Sequence, residues 1–239
     1  MAQSNILKKG DQITNTSANH SAGKPKVVLD KRARTRAAIL DATFQVIGHE
    51  HGRLARVEQI TEIAKIARPT FYTYFSSMEE LFSALSFELS HDFNNAVTAY
   101  SQTFTNAAET KSFAIRSYLT KAAADHQWGW GMINLSYGAP LFGADTNAAA
   151  MATVQAGMDS GIFKVTDVRV GRDMVLGAAL AGMKTLMSEP CPDDYPETIT
   201  RHILISLGVT PARADKLVRV PLPDIATLMG YCADSDQPE

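Results

Sequence analysis

Apolar residues in this chain recur every three or four positions almost throughout, and nowhere do valines and isoleucines alternate with polar neighbours for long. That spacing belongs to helices packed on one face, so the fold class expected is all-α. A first helix is predicted from about Lys31 to His51, with Ile39, Ala42, Thr43, Val46 and Ile47 inward and Gly52 as its C-terminal stop. A second is predicted over 57–64 and a third from Arg68 to Phe75. Ser76-Ser77-Met78-Glu79 reads as a capping box opening a fourth helix. Its stripe Leu81, Leu85, Leu89, Phe93, Val97 and Tyr100 is long enough to join two parts of a molecule. Further helices are expected at 107–125, 127–138, 146–160, 168–188, 195–207 and 211–218, punctuated by Gly161, Gly208 and Thr210-Pro211. The stretch 188–196 reads as a loop. This leaves a polar, disordered tail at 1–28, a three-helix unit at 29–77, a helical body at 78–222 and a weakly specified tail at 223–239.

Between Ile60 and Leu81 two short apolar-periodic segments flank a break of three residues, and the second carries Arg68, Pro69, Thr70, Thr73 and Tyr74 on its outward side. That is the layout of a helix-turn-helix whose second helix enters a DNA groove. The charge distribution supports it, although the net charge of −2 does not. Residues 24–78 hold ten basic side chains against five acidic ones, whereas from Glu79 onward eleven basic face nineteen acidic. A basic N-terminal third on an acidic body is the footprint of a nucleic-acid reader with a separate regulatory part.

Other function classes find no support. There is no Gly-rich phosphate loop, nucleophile elbow or metal-ligand helix, so neither a catalytic residue nor a cofactor is expected. His49-Glu50-His51 lacks the spacing that puts two ligands on one helix face, and no metal is expected there. Cys191 and Cys232 form neither a metal motif nor a disulfide framework. No apolar run is long enough to span a membrane, and the N-terminus has no apolar signal core. A cytoplasmic protein with no membrane partner is the expectation.

The reader needs three kinds of residue. Ile39, Phe44, Ile47, Val57, Ile60, Ile63, Ala64, Ile66, Phe71 and Phe75 can supply its small core. Arg68 can read guanine edges, while Thr70 and Thr73 offer hydroxyls and methyls. Arg56, Tyr72 and Tyr74 can anchor phosphates, and Lys31, Arg32 and Arg34 can form an arm for the adjacent minor groove.

These stretches, RTRAAILDATFQVIGHEHG and VEQITEIAKIARPTFYTYFSSMEELF, resemble the DNA-binding domain of tetracycline-repressor-like (TetR-family) regulators. Thr70-Phe71-Tyr72, then Phe75 and Glu79-Glu80-Leu81, are the most specific pieces. The resemblance covers residues 32–90 and implies a homodimeric regulator paired through its last long helices. Three positions depart from the family pattern. Lys65 stands where a glycine usually makes the turn, at a cost of about 1–2 kcal/mol for a left-handed non-glycine residue. Ala67 stands in place of a capping serine or threonine, a loss of about 1 kcal/mol that Pro69 partly offsets. Met78 stands where a phosphate-contacting lysine is common.

In the body, Gly171, Ala178, Gly182 and Thr185 form one small-residue stripe, and Leu176, Leu180, Met183 and Met187 a large one opposite. With Ile199, Ile203 and Leu207 of the next helix, the small stripe is the expected dimer face, a four-helix arrangement with a second copy. The alternative is that it packs inside one subunit. Trp128, Trp130, Met132, Tyr137, Phe142, Met151, Met158 and Met183 (with Phe163) can wall an adaptable pocket for a small apolar or aromatic effector, and Arg116 or Lys121 can meet an anionic one. The expectation is a ligand-responsive transcriptional regulator, a repressor binding a pseudo-palindromic double-stranded DNA operator as a homodimer. An architectural DNA binder without a ligand, or an all-α enzyme, is the alternative.

Overall fold

The computed structural model describes residues 31–138 and 140–235, of which 231–235 as backbone alone. The expected disorder of 1–28 lies outside the described residues. The chain runs α1 (Lys31–Ile47), a 3-10 turn (Gly52–Leu54), α2 (Val57–Ile63), α3 (Arg68–Tyr72), α4 (Met78–Ser101), α5 (Ala107–Ala124), α6 (His126–Leu135), α7 (Ala144–Asp159), α8 (Val168–Ser188), α9 (Tyr195–Ser206), α10 (Pro211–Val218) and α11 (Ile225–Ser235). No strand occurs among the described residues, and no described helix is long and apolar enough to cross a membrane.

The helix ends follow from local chemistry. The cap of α4 sits one residue later than the sequence suggests: Ser77 is the N-cap, and its Oγ accepts the Glu80 N–H at 3.2 Å. Glu80 in turn accepts the Ser76 N–H at 2.7 Å and the Ser76 hydroxyl at 2.6 Å, and these bonds hold its carboxyl below the usual carboxylate range. Asn106 caps α5 through Ala108 and Glu109, and Asp125 caps α6 through Trp128. Gly161 and Gly208 both adopt positive φ, as expected of residues that stop a helix.

α4 is the axis of the molecule. Its first turns put Leu81 and Leu85 into the core of the N-terminal unit with Ile39, Ile60, Phe71 and Phe75. Its later turns put Leu89, Phe93 and Val97 into the core of the body. Packed around it are α1, α5, α6, α7 and α11. Residues 225–235, expected as tail, thus form a helix that docks on α4 with Leu228 fully buried. Arg116 fixes the approach to α11. Its guanidinium, buried and held below its ordinary value by desolvation, donates to the carbonyls of Leu217, Val218 and Val220 at 3.4, 2.9 and 2.7 Å. Arg116 is therefore a structural tie and not a solvated group.

α6 corrects another reading. The HQWGWGM segment is not a loosened turn but the first part of a helix, and its glycines serve close packing on two sides. A Cβ at Gly129 would press on Ala122 of α5 and Met187 of α8, and one at Gly131 on Phe44 of α1 and Leu89 of α4. Glycine inside a helix costs about 0.5–1 kcal/mol relative to alanine; here the cost is offset by the approach of four helices. Trp128 is buried, edge-on to Phe93, with its indole N–H donating to the Leu89 carbonyl at 3.0 Å.

Candidate nucleic-acid interface and effector cavity

α2 and α3 form the helix-turn-helix. The turn between them is the one that glycine usually makes, with Lys65 at φ 54°. The Ile66 N–H bonds the Thr61 carbonyl at 3.0 Å and the Lys65 N–H the Glu62 carbonyl at 3.2 Å, which satisfies the last carbonyls of α2 in a Schellman arrangement. The backbone keeps the family geometry, and the lysine carries the strain. Ala67 caps α3 without a side-chain bond, and Pro69 occupies its first turn. The helix ends at Tyr72, shorter than the expected Arg68–Phe75, and Thr73 is its C-cap. Ile63, expected in the core, is exposed, while Ala64 and Ile66 are half-buried.

The structure brings Arg68, Pro69, Tyr72 and Thr73 together on the exposed side of α3, with Thr70 half-buried beside them. Tyr74 leaves this face and packs on the core. Arg68 does not float. It pairs with Glu58 of α2 at 3.0 Å, and a hydrogen bond with Tyr72, then the Glu58 charge, raise its already high pKa. Both partners are well exposed, so the pair adds little stability, but it holds the guanidinium at the outer edge of α3. The Thr73 hydroxyl donates to the Thr70 carbonyl at 2.6 Å and keeps its lone pairs for an outside donor. Arg56 precedes α2 in extended backbone, its N–H tied to Gln59 Oε1 at 2.9 Å and its side chain exposed. Lys31, Arg32 and Arg34 lie in the opening turns of α1. They are exposed on a helix and do not form an extended arm.

The body contains a cavity of about 450 Å³ bounded by α4, α5, α7 and α8. Val97, Ile115, Val175 and Leu176 give it apolar walls, while Asn94, Thr98, Tyr118 and Thr146 bring polar atoms. None of the eight residues expected to wall a pocket lines it. Met132, Phe142 and Met183 are buried core, as is Trp128. Trp130, Met151 and Met158 are partly buried elsewhere, and Tyr137 is 59% exposed, beneath the Arg53 guanidinium. Phe163, also proposed, packs on Gly157. Lys121 does not face a ligand either: its ammonium lies 4.8 Å from the Trp128 ring centre and near Asp125. Large aromatic and methionine side chains fill space here, and the void lies where α7 offers Ala149, Ala150, Thr153 and Ala156.

The small-residue stripe of α8 also turns inward. A Cβ at Gly171 would strike Val154, and one at Gly182 would strike Ile199 of α9. Ile203 and Leu207 are buried, Ile199 is packed on the core, and Ala178 and Thr185 are half-buried. The side of α8 left open carries Val170, Gly177 and Ala181; a Cβ at Gly177 would meet nothing.

Between cavity and reader lies an unusual loop. Phe142 and Gly143 both have positive φ, 59° and 87°. Phe142 packs edge-on to Tyr118, whose hydroxyl is 2.8 Å from Thr146 in the cavity wall. Gly143 lies against Ser86 and Ser90 of α4. A bulky left-handed residue is rare and strained, and this one joins the cavity wall to α4.

Comparison with known proteins agrees with this architecture. Residues 39–85 match the family described as bacterial regulatory proteins, tetR family, and residues 106–220 match the tetracyclin repressor-like C-terminal domain. Among solved structures, RolR in complex with resorcinol is 24% identical, with a TM-score of 0.64 over 82% of this chain and 98% of that one. The fatty acid degradation regulator FadR from Bacillus halodurans is 23% identical, with a TM-score of 0.56 over 75% of this chain and 97% of that one. FadR from Bacillus subtilis, in complex with stearoyl-CoA, is 21% identical, with a TM-score of 0.57 over 71% and 98%. No curated protein sequence matches the chain. With both of its parts matched in order, the N-terminal reader and the C-terminal body, this chain belongs to the tetR family of bacterial regulatory proteins and is a DNA-binding transcription regulator, not an enzyme.

Proposed function

We propose that the chain is a repressor that binds a pseudo-palindromic operator as a homodimer and leaves it when a small effector enters the cavity between α4, α5, α7 and α8. One observation carries the reading. A single unbroken helix, α4, begins at the cap that follows α3 and ends in the cavity wall: Leu81 and Leu85 sit in the reader core, Asn94, Val97 and Thr98 at the cavity. A ligand that alters the seat of Val97 acts on the same rigid element that supports Phe71 and Phe75. A coupling of about 1–3 kcal/mol is enough to change operator affinity several-fold to a hundredfold.

The cavity volume falls within the range usual for small-molecule sites, and an architectural DNA binder has no use for it. RolR was solved with resorcinol and one FadR with stearoyl-CoA; a mainly apolar wall with scattered hydroxyls suits an effector of comparably mixed character. For the dimer, the open side of α8 with Val170, Gly177 and Ala181 replaces the inward stripe as the face offered to a second copy. Two copies would place α3 and its twin about 34 Å apart, one turn of DNA.

Selection of bound duplexes from a random library tests this. An inverted repeat with half-sites about one helical turn apart is the expected outcome. Binding with no sequence preference, or to a lone half-site by one subunit, sinks the proposal.

A further inference from the structure

Lys111 stands on the cavity-facing stripe of α5 with Ala114, Ile115 and Tyr118 and is only 4% exposed. Its ammonium has no hydrogen-bond or ion-pair partner among the described residues. Arg116, farther along α5 but facing away from the cavity, shows what a buried cation here normally has: four carbonyl acceptors, those of Ser112, Leu217, Val218 and Val220, and Glu197 at 3.9 Å. No aspartate or glutamate lines the cavity, whose other polar groups are hydroxyls and amides. The chamber therefore holds one cationic group and no counter-charge of its own. A charge taken out of water without a partner is costly, and burial alone pushes the Lys111 ammonium down to about 7.

We infer that the effector is an organic acid whose anionic head, a carboxylate or a phenolate, pairs with Lys111 while its apolar part lies along Val97, Ile115 and Leu176. The pair forms at a buried ammonium, where a charge-assisted hydrogen bond is stronger than on a surface. Tyr118 and Thr146, hydrogen-bonded to each other, stand two turns farther along α5, about 10 Å along its axis, and bound the site at the opposite end. The inference rests on the effector reading above and narrows it from any small apolar compound to amphipathic acids.

Matched probes test it at about pH 6, where both acids are ionised and Lys111 keeps its proton: phenylbutyrate against phenylbutanamide, and 2,4-dinitrophenol against 2,4-dinitroanisole. Calorimetric titration of the full-length protein is expected to show at least one anion binding about tenfold or more tightly than its neutral twin. Whichever of the two pairs shows the preference identifies the head group. Lys111→Met is expected to abolish the preference, with Lys111→Gln as a second variant and Lys111→Arg retaining it. Neutral twins binding equally well, a preference that survives in Lys111→Met and Lys111→Gln, or no binding by either anion overturns the inference. Operator titration separates it from the broader reading. An acid that binds through Lys111 but leaves operator affinity unchanged upholds the site and defeats the effector role. A neutral compound that enters the cavity and releases operator does the reverse.

Discussion

The side-chain amide of Asn134 in α6 closes the C-terminal end of α1: its Nδ2 donates to the carbonyls of Ile47 and His49, both at 2.8 Å. Asn134 and Ile47 are both buried, so the Ile47 carbonyl depends on this bond. The bond is a second route from body to reader, beside α4. Asn134→Leu is expected to lower stability by about 1–3 kcal/mol, the cost of stranding a buried acceptor, as read by urea unfolding. It is also expected to weaken the effector's influence on operator binding while ligand affinity stays within experimental error. Full effector response in the variant would confine Asn134 to a structural role.

The reader offers two places for DNA contact, Arg68 on α3 and Arg34 on α1. We propose that Arg68, aimed by Glu58 and Tyr72, reads base edges; Arg68→Ala should then cost about 1–3 kcal/mol on the selected operator and relax selectivity at one position. For Arg34, exposed on α1, the proposed role is a sequence-independent contact; Arg34→Ala should weaken all sequences alike and lower the salt slope by about one. Anisotropy titrations on the operator and a scrambled duplex at several salt concentrations decide both.

Lys65 at φ 54° occupies a conformation that suits glycine. Lys65→Gly is expected to raise stability by about 1 kcal/mol, set by the 1–2 kcal/mol strain of a left-handed side chain less the entropy that glycine loses. Thermal unfolding checks it. A lower melting temperature would mean that the Lys65 side chain makes up for its backbone.

Much of the reader was legible in sequence because its signals are local: the three-to-four spacing, Pro69 in a first turn, serines before Glu80. The α8 limits were legible for the same reason. The cavity was not. Periodicity marks burial, and a buried Trp128 or Met183 fills volume instead of leaving it. Voids arise where neighbouring side chains are too short to meet, and the usable signal was the run of alanines and threonines at 146–156 facing an α5 stripe interrupted by Lys111. The α8 stripe misled for a related reason. Small residues announce a close approach without saying to what, and Ile199 and Val154 of the same chain make it.

That distinction can be measured. Gly182→Val drives a side chain into Ile199 and is expected to destabilise the subunit by about 1–3 kcal/mol, typical of overpacking. Gly177→Val meets nothing in the subunit and should leave its stability near wild type while shifting the monomer–dimer equilibrium. Sedimentation velocity over a concentration series, with denaturant unfolding beside it, reads both. Unchanged association in Gly177→Val moves the dimer face away from α8.

Lys111 makes stability depend on pH in a defined window. Its folded pKa, about 7, lies below the unfolded value near 10.5. Below 7 both states are protonated and the folded one bears the full burial penalty. Above 7 the folded state releases its proton first, so stability rises by up to about 1.4 kcal/mol per pH unit until the unfolded lysine also titrates. Tyr118, the other ionisable group in the wall, is held neutral there by burial. Denaturant midpoints across this range should climb more steeply for wild type than for Lys111→Met; parallel curves would place the ammonium in water.

The docking of α11 constrains how α4 can move at all. With α1, α5, α6 and α7 also packed on it, α4 keeps one open flank, where Ser83, Phe87 and Asn95 are exposed. A tilt toward that flank would bare apolar surface on a packed neighbour, and a tilt the other way would crowd one. A slide along its own axis or a roll about it keeps each neighbour covered. The stroke available to an effector is then a short piston-like or screw motion, and its length is set by how far side chains such as Leu81 and Leu85 can travel before their rotamers must change.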